Sequence, residues 1–215
     1  MKRLSKKLPW LAGFMMMAAS LFMAHPVMAA SNAPQVDSVK YEGSKKIEVE
    51  FKGDVDYRNP SIKVTDSKGK AYTASIVEAD DDDFTFRIAS PKKGMTYTYT
   101  ISNIAKAGTN NFTTVEGTFR IAGKTEVLVE DVDYDREDKE VNFEFQGNVK
   151  WKNAKVVIKD STGKKFVQRI KEKDNDEIEV KVKSLTSGKK YSYKITGVAR
   201  KGSKKFKTVK GTFRP

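Results

Sequence analysis

The second half of this chain repeats the first. When residues 51–120 are aligned with residues 145–214 at a constant offset of 94, 26 of the 70 positions are identical. Unrelated sequences of average composition match at about one position in seventeen. A period this long exceeds the 20–50 residues of solenoid repeats. The repeat therefore predicts two tandem domains, at 31–121 and 126–215, each with its own core and joined by a short linker at 122–125.

Both copies alternate apolar and polar residues with a period of two. In "KIEVEF" (46–51), Ile47, Val49 and Phe51 share one face, and "EVNFEF" (140–145) repeats the pattern. Further alternating runs are "FTFRI" (84–88), "YTYTI" (97–101), "IEVKV" (178–182) and "YSYKI" (191–195). This period is typical of half-buried antiparallel strands, and turn signals such as "DSKGK" separate the runs. About seven short strands per copy predict an all-β fold of two antiparallel β-sandwiches.

The N-terminal 30 residues have the three-part layout of a secretory signal peptide. A basic segment "MKRLSKK" precedes an apolar run at 8–24, and a small-residue cleavage site follows, ending at Ala29 or Ala30. An apolar run of this length is short for a membrane span of about 20 residues, and an uncleaved anchor is the alternative. No later stretch approaches spanning length. We expect an extracytoplasmic protein, in the periplasm or at the cell surface.

The chain after residue 30 contains neither histidine nor cysteine, because His25 is the only histidine and cysteine is absent. This excludes Ser-His-Asp and Cys-His catalysis, zinc sites built from these residues and structural disulfides. Carboxylates at Glu48, Glu50, Glu144 and Glu179 occupy outward strand positions, whereas glycoside hydrolysis needs two acids across a cleft. We expect no enzymatic activity and no cofactor.

A glycine and tyrosine pattern, G-x-x-Y-x-Y-x-I, occurs once in each copy, beginning at Gly94 and Gly188. In the second copy it follows a Leu-x-x-Gly turn that begins at Leu185; the first copy matches that turn less well. Nearly the whole chain after residue 30 resembles the bacterial Ig-like and fibronectin type III-like domains of exported and S-layer-associated proteins. The resemblance implies a β-sandwich fold and a role in adhesion, spacing or ligand display, and it supplies no catalytic residues.

Acidic runs recur at one place in both copies, with Asp80 and Asp82 in the first and Asp174 and Asp176 in the second. Carboxylate oxygens are ligands that Ca²⁺ takes in proteins, so these loops are candidate calcium sites. The alternative, which the absence of EF-hand spacing favours, is a solvated hairpin turn, where Asp and Asn are common.

The aromatic residues of the repeat indicate packing rather than ligand binding. Tyr97 and Tyr99 are two residues apart and therefore point to one face of a strand. Trp151, aligned with Tyr57, is interpreted as a sandwich or rim residue, with ligand contact as the alternative.

Charge is the property that separates the two copies. Residues 31–121 hold 13 basic and 13 acidic side chains, whereas residues 122–215 hold 24 basic and 15 acidic ones, a net charge of +9. A basic patch of this kind attracts polyanions. The candidate polyanion-binding residues are Lys189, Lys190, Lys194, Arg200, Lys201, Lys204, Lys205, Lys207 and Lys210.

Lysine predominates among these cations, and lysine acts as a point charge rather than as a bidentate reader. Binding should therefore be weakly selective and salt-sensitive, without specific nucleic-acid recognition. The first hypothesis is an exported, non-enzymatic module whose second domain binds anionic polymers or surfaces of the cell envelope. The alternative is a spacer or adhesion-type protein that meets a protein partner and has no dedicated polyanion site.

Overall fold

The computed structural model describes residues 32–215, so the predicted signal peptide lies outside the described residues. This part of the chain is built from β-strands and turns, and it contains no helix long and apolar enough to cross a bilayer. The strands of the first repeat are β1 (Val36–Lys40), β2 (Lys46–Phe51), β3 (Val55–Asp66), β4 (Ala71–Tyr72), β5 (Ala74–Ala79), β6 (Asp83–Ile88), β7 (Met95–Lys106) and β8 (Thr113–Ile121). Those of the second are β9 (Val129–Asp135), β10 (Glu140–Phe145), β11 (Val149–Lys159), β12 (Val167–Lys173), β13 (Glu177–Val182), β14 (Tyr191–Arg200) and β15 (Lys207–Phe213).

Each repeat folds into two antiparallel sheets. The first has the strand orders β1-β2-β6-β5 and β4-β3-β7-β8, and the second has β9-β10-β13-β12 and β11-β14-β15. These are the orders ABED and CFG of an immunoglobulin sandwich of the constant type, with the two-residue strand β4 added at the edge of the CFG sheet in the first domain. We use those letters for the two sheets of each domain. The predicted all-β fold of two tandem Ig-like sandwiches is confirmed.

Alternating apolar side chains fill the space between the sheets. In β2 and β13 every second residue is buried, which places Ile47, Val49 and Phe51, and likewise Ile178, Val180 and Val182, in the interior. One hydrophobic cluster lies within residues 47–121 and a second lies within residues 127–213. Each sandwich therefore encloses a core of its own.

Tyrosines near the start of strand F fasten that strand to the preceding loop. The hydroxyl of Tyr97 accepts a hydrogen bond from the Lys92 N–H at 2.6 Å, and that of Tyr191 accepts one from the Thr186 N–H at 2.9 Å. A tyrosine of strand F that bonds to backbone a few residues upstream is a hallmark of immunoglobulin domains. Tyr97 and Tyr99 are both fully buried, so the prediction that they are core residues is confirmed.

Removal of the Tyr191 hydroxyl should destabilise the second domain. In Tyr191→Phe the Thr186 N–H loses its partner, and we expect the free energy of unfolding to fall by about 1–3 kcal/mol. Tyr193→Phe is the matched control, because the Tyr193 hydroxyl is buried without a hydrogen-bond partner in the described structure. This control should be neutral or stabilising. Urea unfolding of both variants checks the pair, and equal losses would contradict the role given to the Tyr191 hydroxyl.

Gln146 connects the two domains. Its side chain is 4% exposed, and its Oε1 accepts a hydrogen bond from the Ala122 N–H. Its Nε2 donates to the Arg120 carbonyl and to Glu130 Oε1, both at 2.8 Å. Glu130 also accepts from the Tyr41 N–H of the first domain at 2.6 Å, and burial raises the pKa of Glu130 to about 7. The junction is therefore a bonded contact rather than a free linker.

Candidate polyanion-binding surface

Four lysines share the solvent-facing side of the CFG sheet in the second domain. Strand alternation turns Val156 and Ile158 inward, which leaves Lys155 and Lys159 on the outer side of β11. Lys194 of β14 lies directly opposite Lys210 of β15 in the strand register, and both side chains are exposed. We call this surface the basic face. Its nine outward positions are Lys155, Val157, Lys159, Ser192, Lys194, Thr196, Thr208, Lys210 and Thr212.

The basic face holds its charges close together without a carboxylate among its nine positions. Neighbouring strands lie about 4.8 Å apart, and residues two apart on one strand lie about 7 Å apart. None of the four lysines takes part in a salt bridge within the described structure. Directly opposed like charges such as Lys194 and Lys210 destabilise a sheet. An anion bound on this face would therefore relieve repulsion that the fold itself leaves in place.

The same surface of the first domain is nearly neutral. Its nine equivalent positions, each 94 residues earlier, hold one lysine, Lys63, and one glutamate, Glu116, and the rest are serine or threonine. Lys155, Lys159, Lys194 and Lys210 replace Ser61, Thr65, Thr100 and Glu116. The sandwich therefore forms without these lysines, and the fold does not require them.

The nine cations predicted from the sequence do not form one patch. Lys194 and Lys210 lie on the basic face. Lys189 and Lys190 directly precede β14, at the end of the sandwich away from the first domain. The other five lie at the opposite end, next to the junction: Arg200, Lys201, Lys204, Lys205 and Lys207. The ten residues of β14 separate the two ends by about 33 Å.

Three of these cations are bonded within the protein. Lys189 Nζ lies 3.3 Å from Asp160 Oδ2, and hydrogen bonds from Thr162 and Lys189 lower the pKa of Asp160 to about 2. The Arg200 guanidinium donates to the Gln146 carbonyl, and Lys207 Nζ donates to the Thr125 carbonyl at 2.8 Å. These three side chains stabilise turns and the domain junction, which leaves them less available to a ligand.

Sequence reasoning missed Lys155 and Lys159, although the signal was present. The segment "KVVIK" (155–159) alternates around the buried Val156 and Ile158, so that both lysines must face outward. Both lysines lie at least 30 residues before Lys189, the first of the nine predicted cations, so proximity in the sequence does not group them with that set. Only the pairing of β11 with β14 brings them beside Lys194.

The acidic turns have backbone roles. The Asp80 N–H donates to the Asp83 carbonyl at 3.0 Å and closes the hairpin between β5 and β6. The Asp82 carbonyl accepts a hydrogen bond from the Phe51 N–H, and the Asp176 carbonyl accepts the equivalent bond in the second domain. Across residues 32–215, no group of three acidic, histidine or cysteine side chains is placed to hold a metal ion.

Trp151 lies at the same end of the second sandwich as the acidic turn that contains Asp174 and Asp176. Its Nε1 donates to the Asp174 carbonyl at 2.8 Å, and its ring packs edge-on against Phe145 at a centroid distance of 5.5 Å. In the first domain, the Tyr57 hydroxyl donates to the Asp83 carbonyl, also at 2.8 Å. The aromatic residue at this position therefore supports the acidic turn in both copies.

Comparison with known proteins identifies no family for the chain. No family description matches it, and no curated protein matches it. Among solved structures, a chain described as "Biofilm associated protein - BSP domain" aligns with 85% of this protein at 18% sequence identity and a TM-score of 0.39. The alignment covers 29% of that chain, so this protein spans less than a third of its length. A likeness this distant does not bear on function.

Proposed function

We propose that this protein is an exported, non-enzymatic binding module whose second domain binds an anionic polymer of the cell envelope through the basic face. The observation that supports this function is the difference between two copies of one surface. The nine outward positions carry four lysines and no acid in the second domain, against one lysine and one glutamate in the first. Since the first domain forms the same sandwich without those lysines, their accumulation has no structural cause.

The chemistry of the face suits an extended ligand with repeated phosphate or sulfate groups. Neighbouring lysines of the face are attached to the sheet at intervals of about 5–10 Å, and the sheet is an open surface rather than a pocket. Hydroxyls of Thr208 and Thr212 lie on the same face and can donate hydrogen bonds to anionic oxygens, whereas those of Ser192 and Thr196 donate to the carbonyls of Lys159 and Lys155. Lysine provides charge without bidentate geometry, so the face selects for charge density rather than for one sugar or base.

A triple substitution tests this proposal. Lys155→Ser, Lys159→Thr and Lys194→Thr together install the residues of the first domain at three positions of the basic face. Each lysine at an anionic surface contributes about 1 kcal/mol, so we expect affinity for heparin and for polyphosphate to fall by about 100-fold. The slope of log K against log salt should decrease by about 2, at roughly 0.7 per lost contact. Isothermal titration calorimetry at several salt concentrations measures both quantities.

The matched control removes the same charge from the loop between β14 and β15. Lys201→Ala, Lys204→Asn and Lys205→Asn also install first-domain residues, and they should reduce affinity by much less. Equal losses in the two triple variants would mean that net charge alone drives binding, and the proposal would then be wrong. Loss of heparin binding with retention of polyphosphate binding, or the reverse, would assign the face to sulfated or to phosphate-bearing polymers.

A spacer role is the second candidate function, and the domain junction favours it. The hydrogen bonds of Gln146 and Glu130 link the two sandwiches through Tyr41, Arg120 and Ala122. Bonds of this kind hold two domains in one relative orientation. A spacer needs such a fixed orientation in order to position what it connects. The two roles are compatible, since a spacer can carry a polymer-binding face at one end.

A further inference from the structure

The second domain carries opposite charge on its two outer faces. We call the outer side of its ABED sheet the acidic face. Its outward carboxylates are Asp131, Asp133, Asp135, Glu140, Glu144, Glu172, Glu177 and Glu179. The cations among them are Arg169, Lys171 and Lys181, together with Lys40 from the first domain. Eight carboxylates against four cations leave a formal charge of −4, opposite to the four lysines of the basic face.

Part of the acidic face is neutralised from within. Lys171 contacts Glu140 at 2.6 Å and Glu179 at 3.2 Å, and Lys181 contacts Glu140 at 3.3 Å. Lys40 contacts Glu50 of its own domain at 3.5 Å and also reaches across the domain junction to within 3.7 Å of Asp131 and 3.9 Å of Glu144.

The remaining carboxylates lack a cationic partner. Asp133, Asp135, Glu172 and Glu177 form no salt bridge within the described part of the chain. Burial and the neighbouring Asp131 carboxylate raise the pKa of Asp133 to about 6. The acidic face therefore holds negative charge that the molecule does not compensate locally.

The two faces cannot neutralise each other within one molecule. They lie on opposite sides of the sandwich, whose two sheets are about 10 Å apart before the outward side chains are added. At physiological ionic strength the Debye length is about 8 Å, so attraction between the faces through solvent is screened. A complementary surface has to come from another molecule, and the opposite face of a second copy carries the matching charge.

We propose that copies of this chain associate by placing the basic face of one molecule on the acidic face of the next. The contact is heterologous, because each partner contributes a different surface, and such contacts extend into open chains unless the rotation closes a ring. The nine positions of the basic face occupy three strands about 4.8 Å apart over about 17 Å of strand length, which provides roughly 250 Å² per partner, well below the 800 Å² or so of a stable interface. The association is therefore reversible and depends on concentration and salt.

This inference goes beyond the proposed function, although it uses the same lysines. A polyanion bound on the basic face competes with the acidic face of a neighbouring copy. Self-association and polymer binding are thus alternative states of one surface.

Sedimentation velocity of the protein tests the proposal. In 20 mM salt we expect the weight-average mass to rise with protein concentration from 10 to 500 μM, and in 500 mM salt we expect a monomer. Neither Lys155→Ser/Lys159→Thr/Lys194→Thr nor Asp133→Asn/Asp135→Asn/Glu177→Gln should self-associate, since each lacks one of the two faces. The loop control Lys201→Ala/Lys204→Asn/Lys205→Asn should still associate. Unchanged thermal unfolding establishes that each variant folds.

Mixing the two face variants gives the sharpest result. Each variant retains the face that the other has lost, so an equimolar mixture should form dimers in 20 mM salt and no larger species. A monomeric wild-type protein in 20 mM salt would overturn the proposal, as would a mixture that stays monomeric or a single variant that still associates. Heparin binding by Asp133→Asn/Asp135→Asn/Glu177→Gln separates self-association from polymer binding. If this variant binds heparin while the wild-type protein stays monomeric, the self-association proposal fails and the polymer-binding proposal stands.

Discussion

Gly211→Ala should destabilise the second domain selectively. A Cβ atom at Gly211 would lie 2.5 Å from Cζ of Tyr193, closer than real Cβ contacts allow. The tyrosine ring cannot move away, because it is 2% exposed and its centroid lies 4.9 Å from that of Phe143. Overpacking of a closed core costs about 1–3 kcal/mol, and more when the neighbours cannot shift. We expect about 3 kcal/mol, which lowers the Tm of a domain of this size by at least 10 °C or so.

Differential scanning calorimetry measures this effect and uses the repeat as its own control. Gly117→Ala places the same clash in the first domain, where the added Cβ would lie 2.6 Å from Cζ of Tyr99. If each core unfolds as a unit, the two variants shift two different transitions. One transition that moves as a whole in both variants would mean that the cores unfold together, contrary to the expectation of independent domains. An unchanged Tm would show that the tyrosine rings have room to move.

Gln146→Ala should release the two domains from their fixed orientation. The substitution deprives the Ala122 N–H and the Arg120 carbonyl of the Gln146 side chain, and it leaves Glu130 Oε1 with the Tyr41 N–H as its remaining donor. An unsatisfied buried polar group costs about 1–3 kcal/mol, so the closed junction loses several kcal/mol relative to an open one in which water reaches these groups. The two hydrophobic cores are untouched, and each domain should remain folded.

Residual dipolar couplings and small-angle X-ray scattering measure the interdomain orientation. In the wild-type protein one alignment tensor should fit both domains, whereas Gln146→Ala should require two and should broaden the distance distribution. Lys52→Ala is the matched control, since Lys52 occupies the equivalent position of the first domain and its side chain forms an exposed salt bridge with Asp37. If the Gln146→Ala couplings still fit one tensor, the junction does not depend on this side chain and the spacer role loses its support.

Most of the fold could be predicted from local patterns. "KIEVEF" and "EVNFEF" coincide with β2 and β10, since side chains of a strand alternate between its faces and half of them must be apolar to form a core. The Tyr-x-Tyr segments lie at or near the start of strand F in both domains, and their burial follows from the same alternation. The acidic runs form hairpin turns, a structure that Asp and Asn residues favour.

The junction and the bonded cations could not be predicted in this way. Gln146 aligns with an exposed lysine in the first copy, so nothing in the repeat marks it as a buried bridge. Arg200 and Lys207 resemble their lysine-rich surroundings, yet both are hydrogen-bonded to carbonyl groups. Such roles depend on which backbone groups lie nearby after folding, and that is a property of tertiary contacts.

The sequence by itself determined that the chain forms two copies of one β-sandwich and that the second copy carries the excess positive charge. The period of two distinguishes inward from outward side chains, and the composition gives the number of charged residues in each copy. Only the tertiary structure decided which charges share a surface. Strand order places β11 beside β14, which joins Lys155 and Lys159 to Lys194, while the length of β14 holds Lys189 far from Lys204. Residues that are adjacent in sequence spread along a strand, whereas hydrogen bonding between strands brings distant ones within about 5 Å.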